Sequence, residues 1–270
     1  MDKRTVRRML QRAGRAAPVA LAAGVFATSA ITTSTTEPST AFQLAAPTRY
    51  LDASVPSTSA AESSTSKPVV PAAGPKLADI DNSRVSKWVT RFTTSLRGEF
   101  SKYLDRMSTY APMISKKLAD RDMPQDLVYL AMIESGFNPT AKSPVKATGL
   151  WQFMTATAQR YGLTVKGKVD ERKNPAKATD AALSYLSDLY DRFGSWYLAA
   201  AAYNAGEGRV QKTLKQVTGK TKGTDQDYYR IANSLPAETR DYVPKIVAAA
   251  RIAKDPAEYG FETSTGAAAD

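Results

Sequence analysis

The sequence predicts a mainly α-helical protein, and three observations carry that reading. From about residue 80 to residue 254, apolar residues recur every three or four positions. The runs are separated by helix stop and start signals, among them Gly136, Asn174-Pro175 and Gly194. No stretch holds the apolar–polar alternation of a strand convincingly.

In chain order, residues 1–30 read as a signal peptide or signal anchor. Lys3, Arg4, Arg7, Arg8, Arg12 and Arg15 precede a short run of small apolar residues. Residues 31–79 are rich in Ser, Thr, Ala and Pro. Too little apolar surface is available there to offset ordering entropy, so a disordered linker is expected. The folded domain is expected over residues 80–256. Val85, Trp88, Val89, Phe92, Leu96, Phe100, Tyr103, Leu104 and Met107 read as one long amphipathic helix, and residues 110–118 as a second. Pro124 suits the first turn of the next, with Asp122 as its cap. A loop covers residues 138–148. Thr155 is expected to cap a short helix ending at Tyr161-Gly162. After Asn174-Pro175, a helix should bury Ala178, Ala181, Ala182, Tyr185, Leu186, Leu189, Tyr190 and Phe193. A small-residue helix covers residues 196–203 and breaks over residues 204–208. Further helices are expected at 210–217, 227–234 and 236–254, and residues 257–270 form a tail.

Composition restricts the chemistry. The chain has no Cys and no His, which removes thiol nucleophiles, thiolate metal sites, Ser-His catalysis and the commonest metal ligand. An enzyme of this composition moves protons with carboxylates, Tyr, Lys or the substrate itself. The net charge of +11 favours anionic partners. The basic residues of the folded part are scattered, with no nucleic-acid module, so an acidic polymer other than nucleic acid is the better match.

Residues 127–154 hold the strongest candidate. Leu127, Leu130, Ala131 and Glu134 are spaced i, i+3, i+4, i+7 and share one helix face. A carboxylate on a buried face must be paired, hydrogen-bonded or protonated. Gly136 would stop the helix and leave Glu134 in its last turn, where the helix dipole disfavours negative charge. Burial and dipole both push its pKa upward, as protonation of a glycosidic oxygen requires.

Other polar residues stand in unusual places. Gln152 lies in the apolar run Gly149-Leu150-Trp151-Gln152-Phe153-Met154. Tyr203-Asn204 ends a small-residue helix. Glu238 and Tyr242 are four apart on one helix. Taken singly, each also fits a structural role: Gln152 satisfying backbone groups, Tyr203 in the core, Glu238 paired with Arg240 or Lys245.

Together with Glu134-Ser135-Gly136-Phe137-Asn138, Ser143, Ala202-Tyr203-Asn204-Ala205-Gly206 and Glu238-Thr239-Arg240-Asp241-Tyr242-Val243, these segments resemble the transglycosylase SLT domain. This is the family of lytic murein transglycosylases (glycoside hydrolase family 23, related to goose-type lysozyme), and the membrane-bound D type without LysM repeats is the nearest kind. The resemblance spans roughly residues 83–254. It implies a lysozyme-like, mainly α fold with a glycan-binding groove, peptidoglycan strands as partner, no metal and no cofactor. Glu134 matches the family's catalytic acid, which protonates the oxygen between N-acetylmuramic acid and N-acetylglucosamine. It then accepts the proton of the muramic C6 hydroxyl as this closes on C1 to leave a 1,6-anhydro end. Ser143 matches a serine near the sugar or the acid. Gln152 and Met154 match positions lining the groove, Tyr203 a tyrosine held near the acid with Asn204 beside it, and Glu238 and Tyr242 a buttressing Glu-Thr-x-x-Tyr segment. The protein is then exported to the periplasm or cell envelope, and any membrane attachment is through an uncleaved signal anchor. Most glycosidases use two carboxylates, and residues 136–159 contain no Asp or Glu. An internal hydroxyl nucleophile removes that need. A goose-type-like lysozyme, with Glu238 or Glu207 positioning water, and a catalytically silent wall-binding module are the alternatives.

Overall fold

Helix α1 (Ser83–Thr93) begins where the Asn82 side chain accepts hydrogen bonds from the Arg84 and Val85 amides, two of the donors a helix start leaves unpaired. In this computed structural model the described residues are Leu77 and residues 82–262. The expected signal segment, nearly all of the linker and residues 263–270 lie outside them.

α1 buries Val85, Trp88 and Phe92. The single long helix expected from Val85 to Met107 is in fact two. Thr94 leaves helical geometry at φ −121°, ψ −94°, where Thr93 and Thr94 turn their hydroxyls onto the Val89 and Thr90 carbonyls. Such local bonds compete with helix continuation. α2 (Arg97–Ala119) then runs through the expected break before residue 110, with Pro112 inside it. Pro112 is exposed, so the Ser108 carbonyl it leaves without an amide partner faces water. Asp122 does not cap the next element. It is exposed with φ +52°, and the 3₁₀ turn Gln125–Leu127 starts from Pro124 without a side-chain cap.

α3 (Val128–Ser135) continues that turn and buries Val128, Tyr129, Leu130, Ala131 and Met132. α4 (Thr155–Arg160) starts at Thr155 itself. Met154 holds the cap position and makes no capping bond, contrary to the expected Thr155 cap. Two short strands that the sequence did not announce follow, β1 (Val165–Lys166) and β2 (Val169–Asp170), antiparallel with Val165 opposite Asp170. At two residues each, they are too short for any alternation to register.

α5 (Pro175–Phe193) has the expected ends: Asn174 accepts from the Lys177 amide at 3.0 Å, and Gly194 closes the helix at φ +71°. Tyr190 departs from expectation. It is exposed and stacks on Trp196 with ring centres 4.2 Å apart. α6 (Trp196–Ala205) runs on through Asn204, and α7 (Glu207–Thr218) follows after Gly206 alone. The expected five-residue break is therefore a single residue with φ +85°. α8 (Asp225–Ala232) opens on a reciprocal Thr224–Asp227 capping box. α9 (Ala237–Lys254) includes Pro244.

Helix α6 is the hub. Its run Tyr197, Leu198, Ala199, Ala200, Ala201 and Ala202 is buried, and the small side chains let α5, α7, α8 and α9 all pack on it. α9 also packs on α1 and on α3, bringing the end of α3 beside the start of α9. The packed unit reaches past the expected boundary at residue 256: Phe261 is buried, 5.4 Å from the Phe100 ring. Among the described residues, no helix is long and apolar enough to cross a membrane.

Candidate active site

Glu134 occupies the last turn of α3, as its spacing predicts. Leu127, Leu130 and Ala131 are fully buried on its face, which fixes the direction in which the carboxyl leaves the helix. Gly136 ends α3 in the left-handed region at φ +57°, and a Cβ there would lie 2.2 Å from the Tyr103 ring. Both the conformation and the close approach demand glycine. Phe137 follows at φ +58° and is fully buried. A bulky side chain in this region costs on the order of 1–3 kcal/mol and persists where packing over-determines it. The Ser135 hydroxyl donates to the Leu150 carbonyl at 2.8 Å, tying the helix end to the loop that follows.

The carboxyl is partly buried and accepts a hydrogen bond from the Tyr242 hydroxyl, at 2.5 Å to Oε1. Burial raises its pKa from the ordinary carboxylate range to about 7; the Tyr242 bond opposes the rise, Glu238 adds to it and Lys245 opposes it. Near neutral pH both protonation states are therefore populated, the condition under which one group gives and then takes back a proton. Tyr242 is buried, and its phenol is held neutral by that burial and by the neighbouring Glu134. Glu238 stands one turn before Tyr242 on α9. Burial raises its pKa, against Lys245 and a hydrogen bond with the Asn204 amide. Asn204 is itself buried and accepts from the Thr239 hydroxyl at 2.8 Å.

A second wall comes from residues 136–154. Thr148 and Phe153 pair through both backbone amides, each at 3.1 Å. Buried Arg172 donates to the Lys146 and Phe153 carbonyls at 3.1 and 3.0 Å while Asp170 grips its other nitrogens at 2.8 Å. The Trp151 indole donates to Thr179 on α5, and the Tyr203 hydroxyl donates to the Trp151 carbonyl at 2.8 Å.

Comparison with known proteins gives a match over part of the chain. Residues 111–226 match the transglycosylase SLT domain. That segment, 116 residues of the chain, is what the chain shares with the family. The chain is 39% identical over 161 residues to membrane-bound lytic murein transglycosylase D of Escherichia coli (strain K12), covering 59% of this chain and 35% of that protein. It is 36% identical over 162 residues to peptidoglycan transglycosylase gp16 of Escherichia phage T7, covering 59% of this chain and 11% of that protein. The chain thus spans about a third of the length of the first of these relatives. Among solved structures, the 70 kDa soluble lytic transglycosylase of Escherichia coli aligns with a TM-score of 0.46 at 22% identity, over 68% of this chain and 32% of that one.

The matched SLT residues include Glu134, Ser143, Gln152, Met154, Tyr203 and Asn204, and end before α9 supplies Glu238 and Tyr242. The fold brings Glu134, Tyr242, Glu238 and Asn204 together. Tyr203 faces Glu134 electrostatically, but its hydroxyl bond goes to Trp151. Ser143 and Gln152 turn to the loop's own backbone: Ser143 Oγ accepts from the Ala147 amide at 3.0 Å, and Gln152 Nε2 donates to the Gly149 carbonyl at 3.0 Å. Gln152 has φ +48°, so its place in the apolar run marks a backbone turn. Met154 is partly buried at the mouth of α4.

Glu207, named in the lysozyme alternative, lies elsewhere in the matched segment. It pairs with Arg160 and accepts from Tyr185 on the rim of a cavity of about 200 Å³ that Tyr161 and Asp188 also line. Burial acts to raise its pKa, but backbone, Arg160 and Tyr185 hydrogen bonds outweigh this and lower it.

Sequence reasoning missed Arg172 altogether and read Lys245 only as a possible pairing partner of Glu238. Arg172 carries the loop's clamp, and Lys245 sits 4.6 Å over the Trp88 ring on the stripe of α9 that faces Glu134. The spacing Glu238, Tyr242, Lys245 was visible, but a lysine at such a position ordinarily reads as solvated. Among the described residues, no group of three or more His, Cys, Asp or Glu comes together as a metal site.

Proposed function

We propose that this protein is a lytic transglycosylase that cuts the β-1,4 bond between N-acetylmuramic acid and N-acetylglucosamine in peptidoglycan without water, with Glu134 as the acid and then the base. The observation that carries the reading is the Glu134 carboxyl, bonded at 2.5 Å to a buried phenol and poised with a pKa of about 7. Protonated Glu134 gives its proton to the bridging oxygen as the C1–O bond breaks. The resulting carboxylate takes the proton of the muramic C6 hydroxyl while that oxygen bonds to C1. One carboxyl serves both steps, so no second acid is required on the far face of the sugar. Glu238 is a poor water-activating base for the lysozyme alternative, because it engages Asn204 and Lys245 and approaches Glu134 from the same helix as Tyr242.

On this reading, Tyr242 orients Glu134, Glu238 and Asn204 buttress it, and Ser143, Gln152, Met154 and Tyr203 shape the glycan groove. The names of the relatives, a membrane-bound murein transglycosylase among them, favour an envelope location. They fit the arrangement proposed for the chain: an export segment at 1–30, a linker to 79 and a catalytic domain from residue 80 whose packed part runs on past 256 to Phe261.

Product analysis tests the proposal. Wild-type protein incubated with purified peptidoglycan releases 1,6-anhydromuropeptides, which mass spectrometry separates from hydrolysis products by the one water they lack. Glu134→Gln cuts release by roughly 10²–10⁴-fold while the circular dichroism of the fold stays unchanged. Reducing-end muramic acid as the main product establishes the lysozyme reading, and tight glycan binding without any soluble fragment establishes a silent wall-binding module.

A further inference from the structure

Lys245 entered the reading above only through its effect on Glu238, yet its own setting is unusual for a lysine. It lies mid-way along α9, one turn past Tyr242 and two past Glu238, so the three side chains share one stripe of the helix. The residue is partly buried. Its ammonium rests 4.6 Å from the centre of the Trp88 ring, and the Arg91 guanidinium lies over that ring at the same distance. Trp88 belongs to α1, so the charge is held in the seam between α1 and α9. An ammonium kept in such a seam with no hydrogen bond or close ion pair among the described residues needs a reason.

The reason lies in what surrounds it. Glu238 and Asp241 act on Lys245 from its own helix, Glu134 acts from α3, and Arg91 acts from α1 with the opposite sign. Around Glu134 itself stand the Tyr242 and Tyr203 phenols, the Glu238 carboxyl and the Lys245 ammonium. When Glu134 gives up its proton, two carboxylates face each other in a partly desolvated site, an arrangement that resists ionisation of both. A fixed positive charge two turns along the helix from Glu238 relieves that repulsion.

We propose that Lys245 is a positioning residue for proton transfer: its ammonium, seated on Trp88, offsets Glu238 and stabilises the carboxylate that Glu134 forms when it protonates the glycosidic oxygen. This rests on the acid role proposed for Glu134. The proton leaves Glu134 for the bridging oxygen and returns from the C6 hydroxyl, and Lys245 keeps its own protons throughout. Glu238 and Lys245 thus bias one carboxyl in opposite directions, and their balance fixes the pH at which it serves as both acid and base.

The test measures the carboxyl directly. In protein labelled with ¹³C at the Glu side-chain carboxyls, the resonance with the highest midpoint, assigned by its loss in Glu134→Gln, is titrated in wild type, Lys245→Met, Lys245→Gln and Lys245→Arg. The pH profile of anhydromuropeptide release is recorded alongside. Lys245→Met and Lys245→Gln raise the Glu134 midpoint by about one unit and move the alkaline limb of the profile to higher pH by the same amount. Release at neutral pH falls by about twofold to fivefold, because the weaker acid gives up its proton less readily while a larger share of the protein holds it. Lys245→Arg keeps the midpoint near its wild-type value. Lower activity with an unmoved or lowered midpoint overturns the inference, as does failure of both neutral variants to fold, since Lys245 is then a structural residue. Wild-type protein that releases no anhydromuropeptide overturns the acid role of Glu134. Active wild type with a titration indifferent to Lys245 overturns this inference alone.

Discussion

Two walls meet at Glu134, and they are built on opposite principles. The wall made by α3 and α9 is helical and carries the ionisable groups: Glu134, Tyr242, Glu238 and Lys245 interact through side chains. The wall made by residues 136–154 carries almost no net chemistry of its own. Its polar groups close on backbone: Ser143 on Ala147, Gln152 on Gly149, and Arg172 on Lys146 and Phe153. The difference separates two tasks. The helical wall sets the protonation of one carboxyl, and the loop wall holds a shape. The SLT match takes in the loop wall and Glu134 but stops short of α9, so the residues that tune the acid stand outside it.

The largest effect expected from breaking one wall without the other is that of Arg172→Met. It strands the Lys146 and Phe153 carbonyls and leaves Asp170 without its partner. The loss of stability is about 3 kcal/mol, read as a melting temperature lowered by about 6–12 °C. Because the damage is to shape, KM for glycan rises while the Glu134 titration midpoint stays near 7. A midpoint that moved with Arg172 would show that the two walls are not independent.

Next in size is the cost that the helical wall carries for function. The Glu134 pKa is higher in the folded protein than in the unfolded chain, where it is near 4.5, so the folded state binds the proton more tightly. Its folding stability is then undiminished below pH 4.5, falls as the pH rises toward 7 and levels off above that. Glu134→Gln removes the titration and lets the Tyr242 hydroxyl keep an acceptor. It is expected to be more stable than wild type by about 3 kcal/mol at pH 8 and nearly equal to it at pH 4, as measured by denaturant unfolding at the two values. Equal stability at both would mean that the carboxyl ionises freely.

The two walls were unequally legible in the sequence, for a physical reason. Position 134 could be read because helix periodicity and a glycine stop are local signals, and the same holds for both ends of α5. The passage of α2 through Pro112 could not, since it depends on which side of the helix faces water, nor could the break at Thr94, since Thr179 and Thr213 make the same hydroxyl-to-carbonyl bond inside unbroken helices. Arg172 was invisible because its partners at Lys146 and Phe153 are joined to it only by tertiary packing. Ser143 and Gln152 stood out as polar residues in unusual places, but that oddity marks turn geometry as readily as substrate contact. Lys245 lay on a stripe that the spacing exposed, and nothing in the sequence says that Trp88 covers it.

The finest division between the walls runs through two tyrosines. Both are hydroxyl donors close to Glu134, and both phenols are kept neutral chiefly by burial. Tyr242 donates to the carboxyl and Tyr203 donates to the Trp151 carbonyl, so the same Tyr→Phe change removes a bond from each wall in turn. Each change costs about 1 kcal/mol of stability, which makes the two indistinguishable by melting. They part in the titration. Tyr242→Phe removes a bond that favours the carboxylate, so the Glu134 midpoint rises above 7 and the alkaline limb of activity moves with it. Tyr203→Phe leaves that midpoint in place and weakens the join between α6 and the loop, so its effect appears in KM. If Tyr203→Phe moved the midpoint as far as Tyr242→Phe, the phenols would be acting as a pair on the acid, and the loop wall would share in the chemistry.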